Sequence, residues 1–187
     1  MTSGDLFNMV WMLGNYRLGS TAQRLAPWLK TRIPEGSIVN DYGSGTGRAE
    51  LELINHCSVI NMVDFADAAL EEPARKLIGP KLTYTVSPLE SLPEDFPVAD
   101  WGICINVLMT VDPAKLDAIM QEMRRTCHNL VIEVYSRADV RLGRDLTLIK
   151  GDAVFWRREM NKYWPIVESH KSPDQRMGRT ITVGMEK

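Results

Sequence analysis

Between residues 37 and 53 the chain reads SIVNDYGSGTGRAELEL, with Asp41 followed by Gly43, Gly45 and Gly47 at every second position. Glycine lacks a Cβ and tolerates positive φ, so glycines in alternation let a backbone loop approach a ligand closely. A tight strand-to-helix turn needs one such residue or two; a third predicts a ligand loop. The dinucleotide fingerprint is G-x-G-x-x-G, whereas the spacing here is Gly43-x-Gly45-x-Gly47. Asp41 stands two residues ahead of the first glycine. A carboxylate aimed into the loop repels a pyrophosphate and attracts an ammonium or sulfonium. Asp64 closes the next apolar run, VINMVD, a position from which a carboxylate accepts hydrogen bonds from both hydroxyls of a ribose. The two acids suit a nucleoside with a cationic amino-acid tail better than a dinucleotide.

These residues need a sheet to hold them. Apolar or β-branched runs at 37–42, 59–64, 82–86, 100–108 and 129–135 predict five strands. Helical patterns at 47–57, 67–78 and 112–127 lie between them, with Pro73 bending or restarting the second. Asp112 is the expected cap of the third, and Pro113 takes the position where a missing N–H costs nothing. Strands alternating with helices make a parallel sheet covered on both faces. A further helix is expected at 152–164, then strands at 165–172 and 180–187, whose short loop implies an antiparallel hairpin. One or two helices at 1–32 lie outside the alternation. In such open sheets ligands bind beyond the carboxyl ends of the strands, where the glycines fall.

The segments VNDYGSGTGRAE, MVD, VADWGICINVLMTVDP and LVIEVY resemble the successive motifs of class I S-adenosylmethionine-dependent methyltransferases, over roughly residues 37–135. The resemblance implies a doubly wound, mostly parallel seven-stranded α/β sheet of Rossmann-like methyltransferase type, with a C-terminal antiparallel hairpin. It implies S-adenosylmethionine as cofactor. Asp41, Gly43, Ser44, Gly45 and Gly47 would hold its methionine part, and Asp64 the ribose hydroxyls. Phe65 would lie against the adenine, and Asn106 and Val107 would approach the methionine and the methyl group. One departure concerns the loop after the third strand, SPLESLP, which carries Pro88 where many relatives carry an acid near the adenine amino group. Adenine recognition then rests on backbone around Pro88 and Leu89, or on Glu90.

One methyltransferase domain is expected over 1–187: a helical lid at 1–32, a cofactor-binding core at 37–135, and a substrate-side segment with the terminal hairpin at 136–187. Two readings stand for the lid residues Tyr16 and Arg17. Either Arg17 pairs with the cofactor carboxylate while Tyr16 walls the methyl donor, or Arg17 is a surface residue and Tyr16 packs the lid. The acceptor is expected above the fourth and fifth strands, near Met109, Thr110, Tyr135, Ser136 and Arg137, with Trp11 and Tyr16 from the lid. Trp156 and Trp164 read equally well as core. His128 is expected to be structural, and neither it nor His170 is assigned a catalytic role.

The chain has 187 residues, 44% hydrophobic and 25% charged, enough for a sheet with helices on both faces. Its net charge of −2 divides into −6 over residues 1–136 and +4 over 137–187. Arg137, Arg141, Arg144 and Lys150 hint at an anionic acceptor such as a carboxylate or phosphate ester. Three cysteines without CxxC spacing argue against a disulfide framework or a metal site and fit a reduced, cytoplasmic chain. No apolar run is long enough for a membrane span, and the first residues do not read as a signal peptide. Nothing in the chain specifies an oligomeric state. The expected activity is methyl transfer to a small molecule by in-line displacement. Two alternatives are transfer to a nucleic acid or protein, and a non-catalytic module that binds the same cofactor. NVLM at 106–109, in place of a DPPY-like tetrapeptide, and the lack of a basic stripe argue against a nucleic-acid acceptor.

Overall fold

The computed structural model describes residues 3–13, 22–174 and 178–186. Seven strands form one sheet: β1 (Ile38–Tyr42), β2 (Val59–Asp64), β3 (Leu82–Val86), β4 (Ala99–Ile105), β5 (Cys127–Val134), β8 (Ile166–Lys171) and β9 (Thr180–Met185). Their order is β3-β2-β1-β4-β5-β9-β8, with β1 to β5 parallel and β9 antiparallel to both its neighbours. The expected seven-stranded sheet with a terminal hairpin is present. The chain order reverses beside β1, and register sets Asp41 opposite Met62 on β2 and Ile103 on β4. Asp41 and the glycines therefore stand at the crest, where β2 and β4 diverge to either side.

Both faces are covered because the central strands are apolar on both sides. On one face Tyr42, Cys104, Leu130 and Ile132 pack against α5 (Leu116–Thr126) and α6 (Ala153–Met160), with Trp156 and Trp164 fully buried. These two tryptophans are core, their indole N–H groups bonded to the Gly151 and His128 carbonyls at 3.2 and 2.8 Å. On the other face Val39, Ile60, Ile103, Val131 and Val183 meet α2 (Ala22–Arg32) and α3 (Arg48–Leu53). The additional helix α1 (Ser3–Met12) packs on a 3-10 turn at Asp67–Ala69.

The expected helices at 47–57, 67–78, 112–127 and 152–164 are all shorter than their sequence patterns, the first two most of all. The pattern at 47–57 yields only α3, ending in a turn in which the His56 ring meets the Ile33 carbonyl at 2.7 Å. The pattern at 67–78 splits into the 3-10 turn and α4 (Glu72–Arg75), because Pro73 has no N–H to donate and the helix restarts around it. At 112–127 the Asp112 side chain accepts from Ala114 N–H at 3.0 Å, but it caps a 3-10 turn at Pro113–Lys115 that leads into α5 rather than α5 itself. A two-stranded hairpin, β6 (Val140–Arg141) and β7 (Arg144–Asp145), was not expected from the sequence. It turns through Leu142 and Gly143, both at positive φ (48° and 72°).

Candidate active site

The loop leaving β1 is built from residues that only glycine could supply. Gly43, Gly45 and Gly47 have φ of 81°, 55° and 75°. The three differ in what crowds them. A Cβ on Gly43 would come within 2.4 Å of a Val107 methyl, and one on Gly47 within 2.4 Å of the Ala74 Cβ. Those two serve internal packing as well as loop shape. Only Gly45 turns outward, toward the Trp11 ring, 3.2 Å from where its Cβ would stand.

Backbone N–H groups tie this loop to the end of β2. Gly43 and Ser44 donate to the Val63 carbonyl at 2.7 and 3.2 Å. Gly45 N–H donates to Asp64 Oδ2 at 2.9 Å, and Ala66 N–H donates to Oδ1 at 2.8 Å. Asp64 thus organises both crest loops while each of its oxygens retains a second lone pair. Arg48 closes the base of the loop with a two-pronged pair to Glu71 at 2.8 and 3.0 Å.

Three carboxyl groups lie beneath the loop: Asp41, Glu50 and Asp64, at 3%, 0% and 6% exposure. Burial, and then the neighbouring Glu50, hold the Asp41 carboxyl well above the usual carboxylate range. Burial also raises Glu50, and raises Asp64 against the backbone N–H groups of Ala66, Gly45 and Phe65. Ser44 Oγ is buried without a partner. Such groups fit a cationic, hydrogen-bonding ligand and would reject a pyrophosphate.

The other expected site residues are distributed as follows. Phe65 lies on the far side of Asp64 and meets Phe7 of α1 edge-on, ring centroids 5.5 Å apart. Trp11 packs with Phe65, Ala66 and Ala69, so it covers the β1–β2 side of the crest rather than the expected position above β4 and β5. Leu89 is 6% exposed and its side chain packs in the core, leaving only its backbone toward the crest. Glu90, the alternative adenine partner, is turned to Lys115 at 2.5 Å. Asn106 leaves β4 in a left-handed conformation, φ 60°, with its N–H on the Glu133 carbonyl at 2.8 Å. Val107 follows it against Gly43. Tyr16 and Arg17 lie outside the described residues.

On the acceptor side Met109 and Tyr135 are buried rather than open to a cleft, with the Tyr135 hydroxyl on Asp139 at 3.3 Å. His128 sits at the opposite end of the sheet, paired with Glu186 at 3.1 Å. His170 is held among Trp28, Arg32 and Glu168. Sequence reasoning missed Glu50 and Glu133. Glu133 is 1% exposed, bonded through one oxygen to the Ser172 hydroxyl, and its other oxygen has no partner. The signal was available: an acid interrupts the apolar strand in LVIEVY, and another faces inward in the first turn of α3.

A family model described as a methyltransferase domain matches residues 39–129, from β1 into β5. No curated protein matches the chain significantly. Many solved structures share its fold. A chain of the Haloferax volcanii complex of the Trm112 methyltransferase activator with a methyltransferase superposes with a TM-score of 0.78 at 14% identity, covering 95% of this chain and 96% of that one. The Burkholderia thailandensis 1,6-didemethyltoxoflavin-N1-methyltransferase, solved with its acceptor and S-adenosylhomocysteine, gives 0.77 at 14% identity, covering 98% and 86%. The Synechocystis magnesium protoporphyrin IX methyltransferase with bound S-adenosylhomocysteine gives 0.69 at 14%, covering 89% and 82%. Residues 39–129 thus match a methyltransferase domain, and the chain as a whole shares the fold of S-adenosylmethionine-dependent methyltransferases, some of them solved with S-adenosylhomocysteine or S-adenosylmethionine bound.

Proposed function

We propose that this methyltransferase acts on a small molecule, holding its cofactor across the crest of β1, β2 and β4. The observation that carries this placement is the left-handed glycine loop, bonded to Asp64 and lying over buried, partnerless groups at Ser44 and Glu50. Asp41, Gly43, Ser44, Gly45 and Gly47 take the methionine end. Asp64 has the spare lone pairs for both ribose hydroxyls, and Phe65 with the backbone at Leu89 bounds the adenine. Asn106 and Val107 face the methionine and the methyl group, and Tyr16 and Arg17 complete the lid. The position of Trp11 against Gly45 makes α1 the cover of the nucleoside end.

When bound, the cofactor supplies a sulfonium carbon activated for displacement. The chain's own part is to align the acceptor with that carbon and exclude water. Glu133, beside Asn106 and with one oxygen unpartnered, gives the acceptor side a hydrogen-bond acceptor in a low-dielectric setting. Of the four cations expected to draw an anionic acceptor, Arg141 and Lys150 are neutralised by Asp139 and Asp145 at 2.8 and 3.0 Å. Arg137 and Arg144 remain for such a group. Two of the solved structures above are named for small-molecule methyl transfer, which supports the same acceptor class. Three buried, unpaired cysteines among the described residues suit a reducing, cytoplasmic setting.

Calorimetric titration with S-adenosylhomocysteine and with NADH tests the placement. Binding of the former alone is expected; binding of NADH alone would overturn it. Radiolabelled methyl transfer to a panel of small molecules, RNA and protein then identifies the acceptor class. Label confined to RNA or protein refutes the small-molecule reading, and cofactor binding with no transfer to any acceptor favours a non-catalytic module.

A further inference from the structure

The crest carries a second set of polar groups, away from the glycine loop, where β5 meets the terminal hairpin. Register sets Glu133 of β5 opposite Ile181 of β9, and β9 lies in turn beside β8. Arg179 immediately precedes β9 and Ser172 immediately follows β8, so both stand at strand ends next to Glu133. Glu133, Arg179 and Ser172 are buried, at 1%, 7% and 1% exposure. The Ser172 hydroxyl accepts from the Asp174 N–H at 3.0 Å and donates to Glu133 Oε1. Its single proton is thereby committed, which fixes Oε1 as an acceptor. Arg179 Nη1 pairs with Asp174 Oδ2 at 2.5 Å, and Arg24 approaches the same oxygen at 4.0 Å.

That network leaves two atoms over. Glu133 Oε2 and Arg179 Nε are each buried without a hydrogen-bond partner among the described residues, and so do not bond each other. One is an acceptor and the other a donor. A charged group buried with its hydrogen bonds unmet is costly, and apolar side chains at 133 and 179 would avoid that cost. With Glu133 ionised, the carboxylates of Glu133 and Asp174 balance the guanidiniums of Arg24 and Arg179, so the cluster has no net charge to offer an ion. It suits a neutral group that presents a donor beside an acceptor, of which a lactam edge is a compact example. Asn106 N–H bonds the Glu133 carbonyl at 2.8 Å, so Glu133 stands one strand away from the residue assigned to the methyl group.

We propose that Glu133 and Arg179 together select the acceptor, taking a small heterocycle by a neutral lactam edge whose N–H donates to Glu133 Oε2 and whose carbonyl accepts from Arg179 Nε. The inference deepens the small-molecule reading and rests on it and on the cofactor placement proposed above. Ser172 and Asp174 are positioning residues: they hold the carboxylate and the guanidinium through one atom each and leave the other available. No bond is made or broken in this recognition, and no proton moves. A heterocycle whose lactam nitrogen is blocked leaves Glu133 Oε2 unmet, and one with a carboxylate at that edge sets a like charge against it. An anionic group elsewhere on the same molecule is left to Arg137 and Arg144.

The test uses the full chain saturated with S-adenosylhomocysteine, so that the cofactor site is filled, and follows small probes by ligand-observed NMR titration. The probes are 2-pyridone, which has the lactam edge, 1-methyl-2-pyridone, which lacks its donor, and picolinate, which puts a carboxylate there. 2-Pyridone is expected to bind about tenfold or more tightly than either of the others, the difference made by a hydrogen bond to a buried charged group. Glu133→Leu and Arg179→Met should each erase that preference while S-adenosylhomocysteine still binds. Absence of 2-pyridone binding, equal binding of its methyl derivative, tighter binding of picolinate, or an undiminished preference in either variant would each overturn the proposal while leaving the cofactor placement intact. Failure of S-adenosylhomocysteine to bind at all refutes the placement instead. The comparison of probes needs no variant, so it holds even where Glu133→Leu or Arg179→Met does not fold.

Discussion

Gly47 and Gly45 look alike in the sequence, yet their substitution by alanine should fail in different ways. At Gly47 the residue is left-handed (φ 75°), a conformation that costs an L-residue about 1–2 kcal/mol. Its new Cβ would also stand 2.4 Å from the Ala74 Cβ and 2.9 Å from Leu70 Cδ1. The Ala74 atom belongs to a short helix and cannot rotate away, so overpacking adds about 1–3 kcal/mol. The total, about 2–5 kcal/mol, is a large share of ordinary domain stability. At about 2–4 °C per kcal/mol for a chain of this size, Gly47→Ala should melt roughly 4–20 °C below the wild type. Gly45→Ala incurs the same backbone strain, but its new methyl meets the Trp11 ring at 3.2 Å, and α1 can shift. Its melting point should fall by only about 2–8 °C, while affinity for S-adenosylhomocysteine drops more than in any comparable packing variant. Differential scanning calorimetry and isothermal titration read the two quantities separately. A Gly47→Ala protein that melts within about 2 °C of the wild type would refute the close contact with α4.

Asp64→Ala should weaken S-adenosylhomocysteine binding by about 1.5–3 kcal/mol, roughly 10- to 150-fold, by removing charged hydrogen bonds to the ribose; an unchanged dissociation constant places the ribose elsewhere. Trp11→Phe should abolish most of the tryptophan fluorescence response to S-adenosylhomocysteine, since Trp156 and Trp164 are sealed in the core, Trp28 packs against His170 and Trp101 lies near the start of β4, away from the crest; an undiminished response means α1 does not cover the site. The ligand-free protein should lose stability as pH rises above the ordinary carboxylate range. Its raised buried acids bind protons more tightly folded than unfolded, so that stabilisation is complete at low pH and is lost as pH climbs through the folded-state values. Thermal melts from about pH 5 to about pH 8 check this, and a melting point that climbs across the range contradicts the buried proton.

Much of this architecture was legible because the parallel core obeys local rules. Apolar runs such as VINMVD and the helical spacing of LDAIMQEM reflect burial on two faces and on one, and each produced the expected element. The loop position was legible for the same reason: glycines at positive φ are hard to replace. What escaped was set by contacts distant in sequence. Trp11 reads as an undirected aromatic, and only packing on Ala66 and Ala69 puts it beside Gly45. The hairpin at 140–145 turns through a leucine, which no turn preference selects. Glu50 was hidden in a good helix-forming run, where a glutamate ordinarily faces solvent.

The crest therefore carries a deficit of positive charge that the cations among the described residues do not correct. Arg48, Arg24, Arg32 and Lys115 all find partners elsewhere, at Glu71, Asp174, Glu168 and Glu90. Structural ion pairing thus satisfies the periphery and leaves Asp41 and Glu50 for a ligand. A dinucleotide would enlarge the deficit, since its phosphates bring further negative charge into a low-dielectric pocket. A nucleoside whose tail bears an ammonium beside a sulfonium reduces it. Buried acids with no cation partner among the described residues would favour such a ligand and would produce the loss of stability expected as pH rises.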